Sequence, residues 1–166
     1  KNVDLAGMLY QPKICSNDYE RYFNVKQDHE LEKCLDVNAI VRLCQPAIKN
    51  GKKISASLGI SNTDRVCGTI LSSEITKVEG LPEDTINLEF VGSAGQSFGA
   101  FQNHGVTMKL YGDSNDYIGK GLSGGKIIVV PPKDAKFVAE DNVIIGNVAF
   151  YGAIDGEAYI NGMAGG

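Results

Sequence analysis

The sequence has no apolar run near 18 residues, so it predicts no transmembrane helix. It has no initiator methionine and no signal-peptide layout, opening instead as Lys1-Asn2-Val3-Asp4. That opening predicts a processed product or an excised fragment. Cysteine is sparse: Cys15, Cys34, Cys44 and Cys67, never as C-x-x-C. Such wide, irregular gaps argue against zinc or an iron–sulfur cluster. Cys34 and Cys44 fall on apolar helix faces, where small buried thiols are expected, and free thiols fit a reducing compartment, the cytoplasm. A large excess of one charge is missing too. The net charge of −4 offers no footprint for nucleic acid or an acidic membrane surface. What is present is 166 residues at 43% apolar and 22% charged, enough for one globular domain with a real core.

Glycine divides the chain in two. Residues 1–83 hold five glycines and residues 84–166 hold fifteen, so the backbone grammar changes near residue 85. The first part is helical. Leu31, Cys34 and Leu35 share one helix face, and Ile40, Leu43, Cys44, Ala47 and Ile48 share another. Pro46 predicts a kink or restart, and Asn50-Gly51 a helix end. Asn17–Asn24 has no clear period. From Lys53 the period becomes two, with Ile54, Ala56, Leu58 and Ile60 on one face. Further strands are predicted over Val66–Ser72, Thr85–Val91, Val106–Leu110, Lys126–Val130, Asn142–Ile145, Val148–Tyr151 and Ala158–Ile160. Pro131-Pro132 must form a corner or an edge.

One glycine box recurs: Gly92–Gln96, Gly121–Gly125 and Gly162–Gly166 all read G-x-[AS]-G-[QG]. Tyr111-Gly112 echoes Tyr151-Gly152. Glycine reaches positive φ without steric cost, so such boxes mark sharp corners. Short alternating runs between corners predict a solenoid of stacked coils. An antiparallel sandwich or barrel would use similar strands and turns, but recurrence of the same box favours the solenoid.

Several catalytic patterns match on paper and fail in context. Gly119–Gly124 fits G-x-G-x-x-G, yet a strand follows where a dinucleotide site needs a helix N-terminus. A P-loop would need glycine at 114 and Ser or Thr at 121, where Ser114 and Gly121 stand. Gly95–Gly99 and Gly121–Gly125 both fit G-x-S-x-G. The only histidines are His29 and His104, and His104 lies just beyond Ser97 with no acid between. Asp113-Ser114-Asn115-Asp116 opens like a calcium loop but lacks the sixth-position glycine and closing Glu. Turn chemistry is expected there, and His104 and Asp64-Arg65 are expected as a solvated turn residue and a local pair or cap.

Gly92–Phe101 (GSAGQSFGAF) followed by Gly112–Gly125 (GDSNDYIGKGLSGG) closely resembles the C-terminal domain of the glutamate synthase large subunit. Gln27–His29 with Leu35-Asp36, Ile60–Arg65, Gly80–Ile86, Ile145–Asn147 and Tyr151–Ala153 extend the likeness from about residue 25 to the end. Two departures stand out: the loop between Lys77 and Leu81 is short for the family, and the chain stops at Gly166 inside a glycine box, which predicts a truncation or the end of an unusually short member. The resemblance implies an enzyme making two glutamates from glutamine and 2-oxoglutarate. It places FMN, an iron–sulfur cluster and an N-terminal cysteine nucleophile in other domains, and gives this domain a structural role. With Lys1 as the first residue, that nucleophile is not expected in this chain.

The reading is therefore a mainly β, single-stranded right-handed β-helix over 53–166, preceded by a helical or irregular extension over 1–52. Gly92, Gly95, Gly121, Gly124, Gly125, Gly162 and Gly165 are expected as coil corners. No catalytic, cofactor-binding or metal residue is assigned. The polar, glycine-flanked residues Asp113, Asn115, Asp116 and Lys120 are the candidate interdomain surface. Expected partners are other domains or subunits of the parent enzyme, not nucleic acid or membrane. An exposed solenoid edge would also invite self-association. The competing reading is a stand-alone β-helix subunit of another redox complex, such as a formylmethanofuran dehydrogenase-like subunit; Asn62–Arg65 favours glutamate synthase.

Overall fold

The computed structural model describes residues 3–10 and 23–165. Lys1, Cys15, Gly166 and residues 17–22 lie outside the described residues. A 3-10 turn at Leu31–Lys33 and a π turn at Asp36–Ile40 lead into α1, Val41–Asn50. Ile40, Cys44, Ala47 and Ile48 form its buried seam, while Leu43 stays partly outside. The chain does not restart at Pro46; α1 runs through it. The helix closes at Gly51, whose φ of 63° lets its N–H donate to Ala47 O at 2.8 Å and that of Lys52 to Pro46 O at 3.3 Å.

The strands are β1 (Ile54–Ile60), β2 (Ile86–Ala94), β3 (Val106–Ser114), β4 (Ser123–Val130), β5 (Val143–Ile145), β6 (Asp155–Ile160) and β7 (Met163–Ala164). They form one seven-stranded sheet in the order β1-β2-β3-β4-β6, with β5 pairing β3 and β7. Every pair is parallel. Register follows the period-two pattern. Ala56, Leu88, Met108, Ile127 and Ala158 make one inward row, and Leu58, Phe90, Leu110, Val129 and Ile160 the next. Phe90 meets Phe98 edge to face at 5.3 Å. The α1 seam belongs to the same core as the strands.

The backbones approach most closely in the column Ile60–Gly92–Gly112. At Gly112, φ is 155° and a Cβ would stand 1.7 Å from Gly92 O. At Gly92, φ is 135° and a Cβ would stand 2.1 Å from Ile60 O. Only glycine allows both the conformation and the contact.

Three expectations are corrected. The fold is not a right-handed β-helix solenoid, and not mainly β: it is an α/β arrangement with one open, wholly parallel sheet and, among the described residues, two α-helices. A two-residue period reads alike in a coil and in an open parallel sheet, and the glycine boxes report strands and turns stacked in register. Second, Val66–Ser72 is not a strand; Thr69–Ile75 forms α2. Its start is fixed from a distant element, because the buried Asp36 carboxylate accepts the N–H groups of Gly68, Ile70 and Leu71 at 2.7, 2.8 and 3.2 Å. Third, Val148–Tyr151 is a turn, with Val148 and Phe150 at φ 56° and 58°.

Candidate functional site

The turns that follow β1, β2, β3 and β5 stack on one another. Val66 N–H donates to Gln96 O (2.8 Å), Ser97 N–H to Asp116 O (2.9 Å) and Tyr117 N–H to Asn147 O (3.1 Å). Gly119 N–H reaches Phe98 O, and Phe150 N–H reaches Ile118 O. Every second residue in these turns has positive φ: Ser97, Gly99 and Phe101, then Tyr117, Gly119 and Gly121, then Val148, Phe150 and Gly152. Val66 and Val148 take this conformation although both are β-branched, which stores strain of about 1–2 kcal/mol each. Sequence reasoning missed this, because propensity places valine in strands.

The candidate interdomain residues lie on this stack and are largely used within it. Asp113, in β3, accepts a 2.7 Å hydrogen bond from Ser93 Oγ. Asn115 N–H donates to Ala94 O at 3.1 Å. Asp116 Oδ1 accepts the Asn147 N–H at 2.8 Å. Lys120 Nζ lies 5.6 Å from the Tyr117 ring centroid. Of the expected corners, Gly92 lies inside β2, Gly124 and Gly125 inside β4, and Gly121 in the turn before β4. Gly95 opens the turn after β2, with Asn62 O 2.5 Å from where its Cβ would be. Gly162 immediately precedes β7 and Gly165 follows it, the latter packed on Asn147.

A polar cleft of about 100 Å³ sits at the amino ends of β2, β3, β4 and β6. Asp84 accepts from Thr107 Oγ1 at 2.7 Å and from Lys126 Nζ at 3.0 Å. The Thr107 hydrogen bond and then Lys126 hold its carboxyl below the usual range, while Asp84 in turn raises Lys126. His104 Nε2 stands 3.3 Å from Asp155 Oδ2, both side chains exposed. Gln102, fully buried, donates from Nε2 to Val106 O and Lys126 O at 3.0 Å each. The acids here brace four strands against one another. Asp84 is bound to a cation and a hydroxyl donor, so it offers no free base. The cleft also opens at the strands' amino ends, whereas ligand crevices in parallel sheets open at the carboxyl ends.

The motif residues give no phosphate cradle. Gly119, Lys120, Gly121, Leu122 and Ser123 N–H groups all donate to backbone carbonyls, leaving none of these five for an anion. The glycines run on into β4, not a helix N-terminus. Ser123 Oγ donates to Gly121 O. These five N–H groups therefore offer no donor to a phosphate. Cys34, Cys44 and Cys67 are free, and no metal-holding group of three or more ligand side chains occurs among the described residues. Burial raises Cys67 well above the usual thiol range and Cys44 to about 12, with nearby Asp36 adding to both. Asp64 accepts from Ser61 N–H at 2.9 Å and Ser61 Oγ at 3.0 Å, a turn cap. No helix among the described residues is long and apolar enough to cross a membrane.

The GXGXG motif family model covers residues 36–166, and the chain belongs to that family. A glutamate synthase [NADPH] large chain of Bacillus subtilis is 56% identical over 166 residues, 98% of this chain and 11% of the relative. A glutamate synthase [NADH] of Saccharomyces cerevisiae is 45% identical over 99% of this chain and 8% of its own length. Ferredoxin-dependent glutamate synthase 2 of Synechocystis is 50% identical over 99% of this chain and 11% of its own. The chain thus spans about a tenth of the length of these relatives.

Proposed function

We propose that this chain is the interdomain structural module of a glutamate synthase large chain. Its work is to hold an amidotransferase domain and an FMN-bearing synthase domain in fixed relation, so that ammonia released from glutamine reaches 2-oxoglutarate. The FMN and iron–sulfur chemistry of the parent belongs to those other domains, in a reducing cytoplasm. One observation carries the reading: in a segment about a tenth as long as its relatives, the carboxylates of Asp84 and Asp116 and the N–H groups of Gly119 and Gly121 brace its own strands and turns. Such a module is stiff and chemically occupied. In the chain taken alone, β6 ends the main strand path, and its outer backbone edge is where we place self-association.

The test is to incubate the isolated chain with FMN and with glutamine. Neither flavin binding nor glutamate release is expected; stoichiometric flavin binding would overturn the scaffold reading. In the intact large chain, Gly112→Ala should disrupt or unfold this module by forcing β3 away from β2. Glutamine hydrolysis should then persist while its coupling to glutamate formation falls.

A further inference from the structure

The outward face of the sheet is divided. Across β1, β2 and the start of β3 it carries Ser55, Ser57, Asn87, Glu89 and Thr107, which suit water. Toward β4 and β6 it changes character. Val91, Tyr111 and Val130 make one outward row, and Lys109, Ile128 and Tyr159 the next. Val91 and Tyr159 are each 55% exposed. Wholly parallel sheets ordinarily have both faces covered. Here the apolar half is only partly covered, with Val91 and Tyr159 exposed and Tyr111, Ile128 and Val130 half-buried, and the polar half has no such need. Two cations frame it: Lys109 Nζ and Lys133 Nζ each lie 4.7 Å from the Tyr111 ring centroid. Neither is in an ion pair with an acid among the described residues; Tyr111 and then Glu89 raise the Lys109 ammonium.

Resting on the interdomain reading above, we propose that this apolar half-face is the docking surface for another domain of the parent large chain. The surface it receives presents aliphatic or aromatic side chains to Val91, Tyr111, Ile128 and Tyr159, and a carboxylate to the Lys109–Lys133 pair. Charge complementarity favours this occupant. A carboxylate between two ammonium groups that already share one aromatic ring gains from both and leaves their cation–π contacts intact. The relatives' length, about ten times that of this chain, supplies the partner surface within one polypeptide. The Asp113–Lys120 ridge is the weaker candidate, because its two aspartates are already engaged.

The experiment is lysine acetylation with an N-hydroxysuccinimide ester, read by mass spectrometry, on the isolated chain and on the intact parent large chain. Lys109 and Lys133 should label in the isolated chain and label about tenfold more slowly in the large chain. Val91→Glu with Tyr159→Glu should restore their labelling in the large chain. The same pair should leave the isolated chain folded, its unfolding midpoint lowered only slightly by loss of the exposed Tyr159–Glu157 hydrogen bond. Equal labelling of Lys109 and Lys133 in both proteins, with Lys120 protected, overturns this surface and leaves the scaffold reading standing. Equal labelling at all three overturns both. Protection in the isolated chain that grows with its concentration, alongside a dimer by light scattering, assigns the face to a second copy and also overturns the proposal.

Discussion

Asp36→Ala should be among the most damaging single changes in the helical layer. The carboxylate is 3% exposed and is the shared acceptor for the N–H groups of Gly68, Ile70 and Leu71. Each hydrogen bond to a charged acceptor contributes about 1.5–3 kcal/mol net, but removing a buried charge also relieves its desolvation. A balance of about 3–5 kcal/mol of lost stability remains, as for breaking other buried charged contacts. For a chain of this length that lowers Tm by about 6–20 °C. Thermal and urea unfolding followed by circular dichroism will measure it. The pH dependence gives a second readout. Burial, opposed by the three N–H donors, pushes the Asp36 pKa above its ordinary 3.8. Between 3.8 and the raised value the folded chain holds the extra proton. This group's contribution to stability therefore falls as pH rises through that window and is level above it. Asp36→Ala should erase that slope. An unchanged midpoint, or a slope that persists in the variant, would refute the capping argument.

Gly112→Ala places a Cβ on Gly92 O and should cost at least about 4 kcal/mol or prevent folding, whereas Gly59→Ala, with open space around it, should be neutral or gain about 0.5–1 kcal/mol; parallel urea melts decide. Val148→Asn relieves a β-branched residue at φ 56° and should raise stability by about 1 kcal/mol in the same assay. Asp84 carries a depressed pKa, so its contribution is present above 3.8 and is lost as pH falls through the lower folded value; Lys126→Met should flatten that acid limb of the stability profile. Thiol mapping by iodoacetamide at neutral pH should leave Cys44 and Cys67 unmodified until denaturant is added.

Much of the sheet was legible. Ile54–Ile60 alternates in sequence and in space, and β2, β3 and β4 begin within a few residues of their apolar runs. Helix α2 was not legible. Thr69-Ile70-Leu71 favours a strand locally, and what decides the matter is Asp36, more than thirty residues upstream. The Val148–Tyr151 turn hid for the same kind of reason. Its apolar composition predicts extended backbone, yet stacking on Tyr117 and Ile118 imposes left-handed residues. Open and coiled parallel sheets share one residue pattern, so the overall winding was beyond a two-residue period. The lysine pair on Tyr111 depends on a return of the chain after Pro131-Pro132, which no spacing rule reports.

The short chain lengths between paired strands also bear on how the chain comes together. Ile54 pairs with Ile86, Ile86 with Val106, Thr107 with Lys126, and Lys126 with Glu157, so each new strand closes a loop of about 20 to 32 residues. No pairing along this path waits for distant ends to meet. Assembly can proceed outward from any one formed pair, each added strand templated by its neighbour.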